Sequence, residues 1–286
     1  MKWNSYPIIE QIHISEIFSL FKMHYENTYE FGGETHDFWE CLYVIKGTLC
    51  VSADERIYNL KSGDIIFHKP LELHKFYITS QKGADVLVFS FSATGPIVSF
   101  FKNKVFRLSA EQEGIITALV DYLDEKCEEF RSEIQNENQY NTALILFEKI
   151  PSYSQNIALH ICRLMLSLAD SSHIAKASNS PDSIVFRKAV EYMNDNLYTN
   201  PPVFDIARHC SVSVSGIKRI FDKFTGIGVH KYFLLLKLKR AKKMLYHGNT
   251  VSDTAEILGF SSQGYFSKTY KREFGISPSK IMETDY

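Results

Sequence analysis

Apolar positions change their spacing several times along this chain, and each change predicts a different kind of element. In roughly the first 30 residues, Ile14, Ile17, Phe18 and Phe21 mark an amphipathic, partly helical pattern. From Glu30 to Phe91 the runs shorten. Leu42, Val44, Leu49, Val51, Ile57, Tyr58, Leu60, Ile65, Ile66, Phe67, Phe76, Ile78, Val86, Val88, Phe89 and Phe91 fall in brief β-rich stretches. Turn signals separate them: Gly32-Gly33, Lys46-Gly47, Ala53-Asp54-Glu55, Ser62-Gly63-Asp64, Lys69-Pro70 and Lys82-Gly83. Many short strands at such spacing predict a sandwich or barrel.

The helical period returns from Pro96 to about Asp170. Ile115, Leu119, Tyr122 and Leu123 mark one helix; Leu144, Phe147, Ile157, Ile161, Leu164, Met165 and Leu168 mark others. Ser109 with Gln112 ahead of an apolar run predicts a capping box. Residues 171–183 are small and polar and predict a linker. Ile184 to Leu197 predicts a helix with Ile184, Phe186, Ala189, Val190, Met193 and Leu197 on its inner stripe, broken by Pro201-Pro202.

Between Val203 and Pro278 one device occurs twice. Ile206-Ala207-Arg208-His209-Cys210-Ser211-Val212-Ser213 leads to Ile217, Lys218, Arg219, Ile220 and Phe221. Thr254-Ala255-Glu256-Ile257-Leu258-Gly259-Phe260-Ser261 leads to Phe266, Ser267, Lys268, Thr269 and Tyr270. Each predicts a short helix, a tight turn and a second helix opening at a serine cap, the shape of a helix-turn-helix. Ile217, Ile220, Phe221 and Phe224 fall at i, i+3, i+4 and i+7 on one face, leaving Ser215, Lys218, Arg219 and Asp222 on the other. In the second unit Phe266 and Tyr270 face inward, and Gly264, Ser267, Lys268 and Lys271 face out. A recognition helix needs this split, one face to hold it and one to meet a groove. Any amphipathic helix shows it once; the tandem repeat points to DNA. Val229 to Tyr246 predicts a connecting helix of about 27 Å, set against the roughly 34 Å between major grooves on one side of B-DNA. Lys237, Lys239, Arg240, Lys242 and Lys243 crowd it and are expected to meet phosphate or solvent.

The run from Gly259 to Pro278, Gly-Phe-Ser-Ser-Gln-Gly-Tyr-Phe-Ser-Lys-Thr-Tyr-Lys-Arg-Glu-Phe-Gly-Ile-Ser-Pro, resembles the C-terminal signature of the AraC/XylS family of transcriptional regulators. It departs from that pattern at Tyr270, where the family favours Phe, and at Ile281-Met282, where it favours an aromatic followed by Arg. The earlier segments His36-Asp37-Phe38-Trp39-Glu40, Val44-Ile45-Lys46-Gly47 and Ser62-Gly63-Asp64-Ile65-Ile66-Phe67, leading to His74, look like the cupin-type sensory domain common in that family. The resemblance implies an α+β, two-domain chain. A cupin-like β-barrel (jelly roll) with following helices would span 1–170, for effector sensing and dimerisation. After the linker at 171–183, an all-α AraC-type DNA-binding domain with two helix-turn-helix units would span 184–286. In cupin enzymes, His and Glu at comparable places bind a divalent metal; His36, Glu40 and His74 match part of that set, with Phe38 in place of the second histidine of the pair. The site expected here is instead an effector cavity of His36, Trp39, Glu40, Tyr43 and His74, with no metal and no cofactor. The aromatic pair would suit a sugar.

Charge sharpens the division. From Ile184 onward there are 16 Lys and Arg against 9 Asp and Glu, and before it 16 against 24. A basic C-terminal part suits a polyanion. The five cysteines, Cys41, Cys50, Cys127, Cys162 and Cys210, are odd in number and scattered, which excludes a disulfide framework or zinc knuckle and predicts small buried hydrophobes. No apolar run suits a membrane span, and the N-terminus lacks the pattern of a signal peptide, so a cytoplasmic protein is expected.

Base edges are expected to meet Ser215, Lys218 and Arg219 in the first unit and Gln263, Ser267 and Lys268 in the second. Lys223, Lys271 and Arg272 are expected on phosphate. Asp222 would repel phosphate, and Gly216 and Gly264 each cost about 1 kcal/mol of helix stability; if the units differ, the second should dominate. The expected function is a sequence-specific transcriptional regulator, an activator on the family's pattern, that is not an enzyme. It would be controlled by a small molecule, form a homodimer and act with RNA polymerase. The alternatives are a ligand-independent regulator whose barrel binds a protein partner, and a metal-dependent cupin enzyme.

Overall fold

Strands fill the first third of the chain and helices the remainder, in a computed structural model that describes residues 5–170 and 180–281, the side chains of 139–141, 143, 144 and 281 excepted. The strands are β1 (His13–Tyr25), β2 (Trp39–Lys46), β3 (Thr48–Ala53), β4 (Arg56–Lys61), β5 (Asp64–His68), β6 (His74–Ile78), β7 (Ala84–Thr94) and β8 (Val105–Arg107). They pair antiparallel into a five-stranded sheet, β1-β7-β2-β5-β8, and a three-stranded sheet, β4-β3-β6. Helices α1 (Ala110–Glu129), α2 (Arg131–Ile134), α3 (Gln139–Lys149) and α4 (Tyr153–Ala169) follow. Then come α5 (Pro181–Asp195), α6 (Val203–His209), α7 (Val214–Thr225), α8 (Val229–Tyr246), α9 (Val251–Ile257), α10 (Gln263–Phe274) and α11 (Pro278–Ile281).

The alternation of a strand sorts its side chains into layers. Leu42 and Val44 of β2, Val86 and Val88 of β7, Leu49 and Val51 of β3 and Phe76 and Ile78 of β6 meet between the two sheets. Their neighbours Trp39, Cys41, Tyr43, Leu87, Phe89 and Phe91 turn outward and pack with α1 and α4 through Ile115, Leu119, Ile157, Ile161 and Leu164. Cys50 and Ile57, on the outer face of the small sheet, join the core of α5–α8. The order of layers is therefore helices, large sheet, small sheet, first helix-turn-helix.

Two expectations change. The N-terminal segment is strand β1, not helix. Its register against β7 shifts between Ile14 and Glu16 and again between Ile17 and Ser19. Each bulge adds a residue and breaks the two-residue alternation, so the apolar positions mimic a helical spacing. The short β8 also lies where the period suggested helix. The predicted box at Ser109 forms, with Ser109 Oγ accepting from Gln112 N and the Gln112 side chain accepting from Ser109 N. The backbone of Leu144 lies in α3, its side chain outside the described residues.

Of the expected linker, residues 171–179 lie outside the described residues, and Pro181 already opens α5. The stripe of α5 is buried as expected at Phe186, Ala189, Val190 and Met193, but Ile184 is 44% exposed. Helix α8 has the predicted bounds. Among the described residues no helix is long and apolar enough to cross a membrane. Cys41, Cys50 and Cys210 are buried and Cys127 and Cys162 half-buried, all as free thiols.

Candidate functional site

Helices α7 and α10 begin alike because their sequences do. Ser213 Oγ accepts from Gly216 N and Ser262 Oγ from Tyr265 N, satisfying orphan amides of the first turn. Both end at a left-handed glycine, Gly226 (φ 66°) and Gly275 (φ 75°). On α7, Ile217, Ile220, Phe221 and Phe224 are buried against Phe186 and Tyr232, while Ser215, Lys218, Arg219, Asp222 and Lys223 are exposed. On α10, Phe266 and Tyr270 are buried and Gln263, Lys268, Lys271 and Arg272 are exposed; Ser267 is half-buried. The residues singled out for DNA thus lie on two solvent-facing helix faces, each backed by its own apolar core.

The two faces are not equally free. Asp182, in the first turn of α5, accepts from Lys223 Nζ at 2.9 Å and lies 3.8 Å from Arg219. A phosphate must displace that carboxylate. Lys218, Lys268 and Lys271 have no ion-pair partner among the described residues, and Arg272 pairs only with its neighbour Glu273.

The barrel also grips the first unit. Lys75 of β6 donates to the Asp222 carbonyl at 2.9 Å, and Ser52 of β3 donates to the Phe224 carbonyl. A cation on the last carbonyls of a helix complements its dipole. Gly32 and Gly33 lie against the same helix end: a Cβ on Gly226 would stand 2.1 Å from the Gly32 carbonyl oxygen.

The lysines of α8 do not form the expected outward row. Lys237 is 3% exposed and donates to Asn200 Oδ1 at 2.6 Å and to the Leu258 carbonyl at 2.8 Å. Burial lowers its pKa to about 8. Lys239 reaches across to Asp54 of the barrel at 2.7 Å. Burial opposes ionisation of Asp54, yet Lys239 and Lys69 hold its carboxyl at about 2. Lys242 and Lys243, with Lys69 and Lys102, line a cleft of about 690 Å³ between α8 and the barrel. The helical period located these lysines, but the face they serve depends on where the barrel docks.

At the barrel mouth, strand alternation separates the residues expected to share a cavity. Glu40 and His74 lie on the inner faces of β2 and β6, in phase with Leu42 and Phe76. Trp39 and Tyr43 occupy the opposite face of β2 and are buried among the helices. They line no cavity with Glu40, which removes the aromatic platform that favoured a sugar.

In their place comes Glu34, which the sequence reading passed over. The segment before β2 pairs with the edge of β6: Glu34 N donates to the His74 carbonyl at 3.0 Å and His74 N to the Glu34 carbonyl at 3.1 Å. This carries Glu34, His36, Glu40 and His74 to one point. Glu34 stands two residues before His36, on the opposite side in sequence from Phe38.

The mouth is electrostatically tight. Burial disfavours a charge on His74, but Glu34 and Glu40 outweigh it and raise its pKa to about 10. Burial, then the charge of His74, lowers that of His36. His74 stacks on buried His68 at 4.2 Å, and His68 donates to Glu72 at 2.6 Å. Outside the mouth, Thr35, His36 and Leu71 meet Lys242, Phe274 and Ile276 around a cavity of about 200 Å³. The mouth therefore borders the second helix-turn-helix directly.

Two family models match this chain, and it is similar to several known proteins. The AraC-like ligand binding domain family matches residues 23–94 and the helix-turn-helix domain family residues 206–284. The Msm operon regulatory protein of Streptococcus mutans serotype c is 24% identical over 261 residues, covering 88% of this chain and 87% of its own. The virulence regulon transcriptional activator VirF of Yersinia enterocolitica is 26% identical over 178 residues, covering 54% of this chain and 64% of its own. Among solved structures, ToxT from Vibrio cholerae O395 is 14% identical, with 96% of this chain and 99% of that one covered and a TM-score of 0.38.

Proposed function

Because the chain belongs to the AraC family of transcriptional regulators, we propose that it reads an operator with α7 and α10 and adjusts that reading to a small ligand at the barrel mouth. The division runs as 1–170 for sensing and dimerisation and 181–286 for DNA, the expected linker ending where Pro181 opens α5. The observation that carries the reading is the pair of exposed polar faces, Ser215, Lys218 and Arg219 on α7 and Gln263, Ser267 and Lys268 on α10, each opposite a buried apolar stripe. Such side chains donate to guanine or pair with adenine in the major groove. Lys223, Lys271 and Arg272 sit where phosphates would run.

Ligand control is supported by contact. The mouth residues share a cavity with α8 and α10, so an occupant that prefers one arrangement of the two domains shifts the equilibrium by its difference in affinity. A homodimer is supported by α4, where Leu159 and Leu166 are 61% and 43% exposed at i and i+7. Activation, through contact with RNA polymerase at a cytoplasmic promoter, is supported by the similarity to VirF, itself called a transcriptional activator. The relatives it resembles are regulators.

The test is selection of bound sequences from random DNA with the full chain. Two base-specific half-sites, about one helical turn apart, are the expected result. Failure to enrich any sequence would remove the reading.

A further inference from the structure

Two imidazoles at the barrel mouth turn their Nε2 atoms toward two carboxylates. His36 Nδ1 donates to the Phe38 carbonyl at 3.0 Å, and His74 Nδ1 to the Glu72 carbonyl at 3.2 Å. These bonds orient both rings and direct Nε2 inward, as the outer partners of metal-bound histidines do. Each Nε2 is buried without a hydrogen-bond partner among the described residues, and His74 as a whole is 2% exposed.

The oxygens stand at ligand spacing. His36 Nε2 lies 3.9 Å from Glu34 and 3.8 Å from Glu40; His74 Nε2 lies 3.6 and 3.2 Å from the same two. All four ligand atoms fall within 4.8 Å of one another. An ion about 2.0–2.2 Å from four tetrahedral ligands would set them roughly 3.4 Å apart. The four separations bracket that value. Rigid parts supply the groups: Glu40 from β2, His74 from β6, and Glu34 and His36 from a segment hydrogen-bonded to the edge of β6 and to Leu71.

We propose that Glu34, His36, Glu40 and His74 form a binding site for a first-row divalent transition-metal ion. Two imidazoles with two carboxylates suit Zn²⁺, Fe²⁺ or Co²⁺, whereas Mg²⁺ and Ca²⁺ favour all-oxygen shells. The ion takes the place of the positive charge that His74 otherwise offers both carboxylates. The inference deepens the sensing role proposed for the mouth and rests on it only for its consequence. His36 also lines the cavity shared with Lys242 and Phe274, so coordination orders a residue that borders the DNA-binding half.

The test uses the full chain, untagged and stripped by chelator, titrated with Co²⁺ and followed by visible absorption and calorimetry. One equivalent should saturate a nitrogen–oxygen site, Zn²⁺ should displace it, and Mg²⁺ should not. Glu34→Gln alters a side chain that is 46% exposed, so this variant should fold. It and His36→Asn should each weaken Co²⁺ binding at least about tenfold, a loss seen even for outer partners of a metal. Both variants should still unfold cooperatively without metal, so that lost binding is not lost fold. Absence of saturable binding, or binding that both variants retain at full strength, overturns the proposal. Operator affinity with and without Zn²⁺ separates the two ideas: stoichiometric binding with unmoved operator affinity keeps the metal site and removes its sensing role.

Discussion

The first helix-turn-helix closes its core with barrel residues Cys50, Ile57 and Leu73, whereas the second builds one from Leu238, Ala241, Leu245, Ala255, Leu258, Phe266 and Tyr270. The first has its recognition-helix carbonyls held by Lys75 and Ser52 and two of its basic side chains, Arg219 and Lys223, beside Asp182. The second keeps Lys268 and Lys271 free of ion pairs among the described residues. The two copies therefore differ in their surroundings: the first is anchored to the barrel, and the second presents the less encumbered basic face.

The sharpest way to break this contrast is to damage the second core alone. Phe266→Ala should cost about 3–5 kcal/mol. Hydrogen exchange should then rise across α9 and α10 while α7 stays protected on the barrel. Equal loss in α7 would show one shared unit. Next comes the clamp between the halves. Lys239→Met removes a charged bond to Asp54 and should lower stability by about 1.5–3 kcal/mol, read as a shift in urea midpoint at constant slope.

A pH series probes the segment that carries Gly32 and Gly33 against α7. The pKa of His74 is raised in the folded chain, to about 10. Its contribution to stability is thus fully present below its unfolded value, about 6.5, and is lost as pH climbs through about 10. The gap in stability between the parent and His74→Asn should narrow over that window. A constant gap would deny the ion pairing. Asp182→Asn should free Arg219 and Lys223 and tighten DNA a few-fold, since an exposed pair is worth about 0–1 kcal/mol. Lys271→Ala should weaken all sequences alike and reduce the salt slope by about 0.9.

Sequence periodicity located most of these elements because the forces behind them are local. Serine caps, left-handed glycines and a three-to-four spacing state where α7 and α10 begin and end. What escaped depended on partners distant in sequence. Bulges opposite β7 disguised β1 as a helix. The pleat of β2 put Trp39 and Tyr43 on the far face from Glu40. Lys237 and Lys239 look like a phosphate-binding row until Leu258 and Asp54 come alongside. Glu34 joined the mouth only through pairing with β6.

One pair of substitutions weighs the two faces against each other. Operator affinity is measured for Arg219→Ala and Lys268→Ala on the same selected duplex at fixed salt. Lys268→Ala is expected to lose about 1–3 kcal/mol and to relax base preference in one half-site. Arg219→Ala, already partnered by Asp182, is expected to lose less. An equal or greater loss at Arg219 would contradict the assignment of the free reading face to α10.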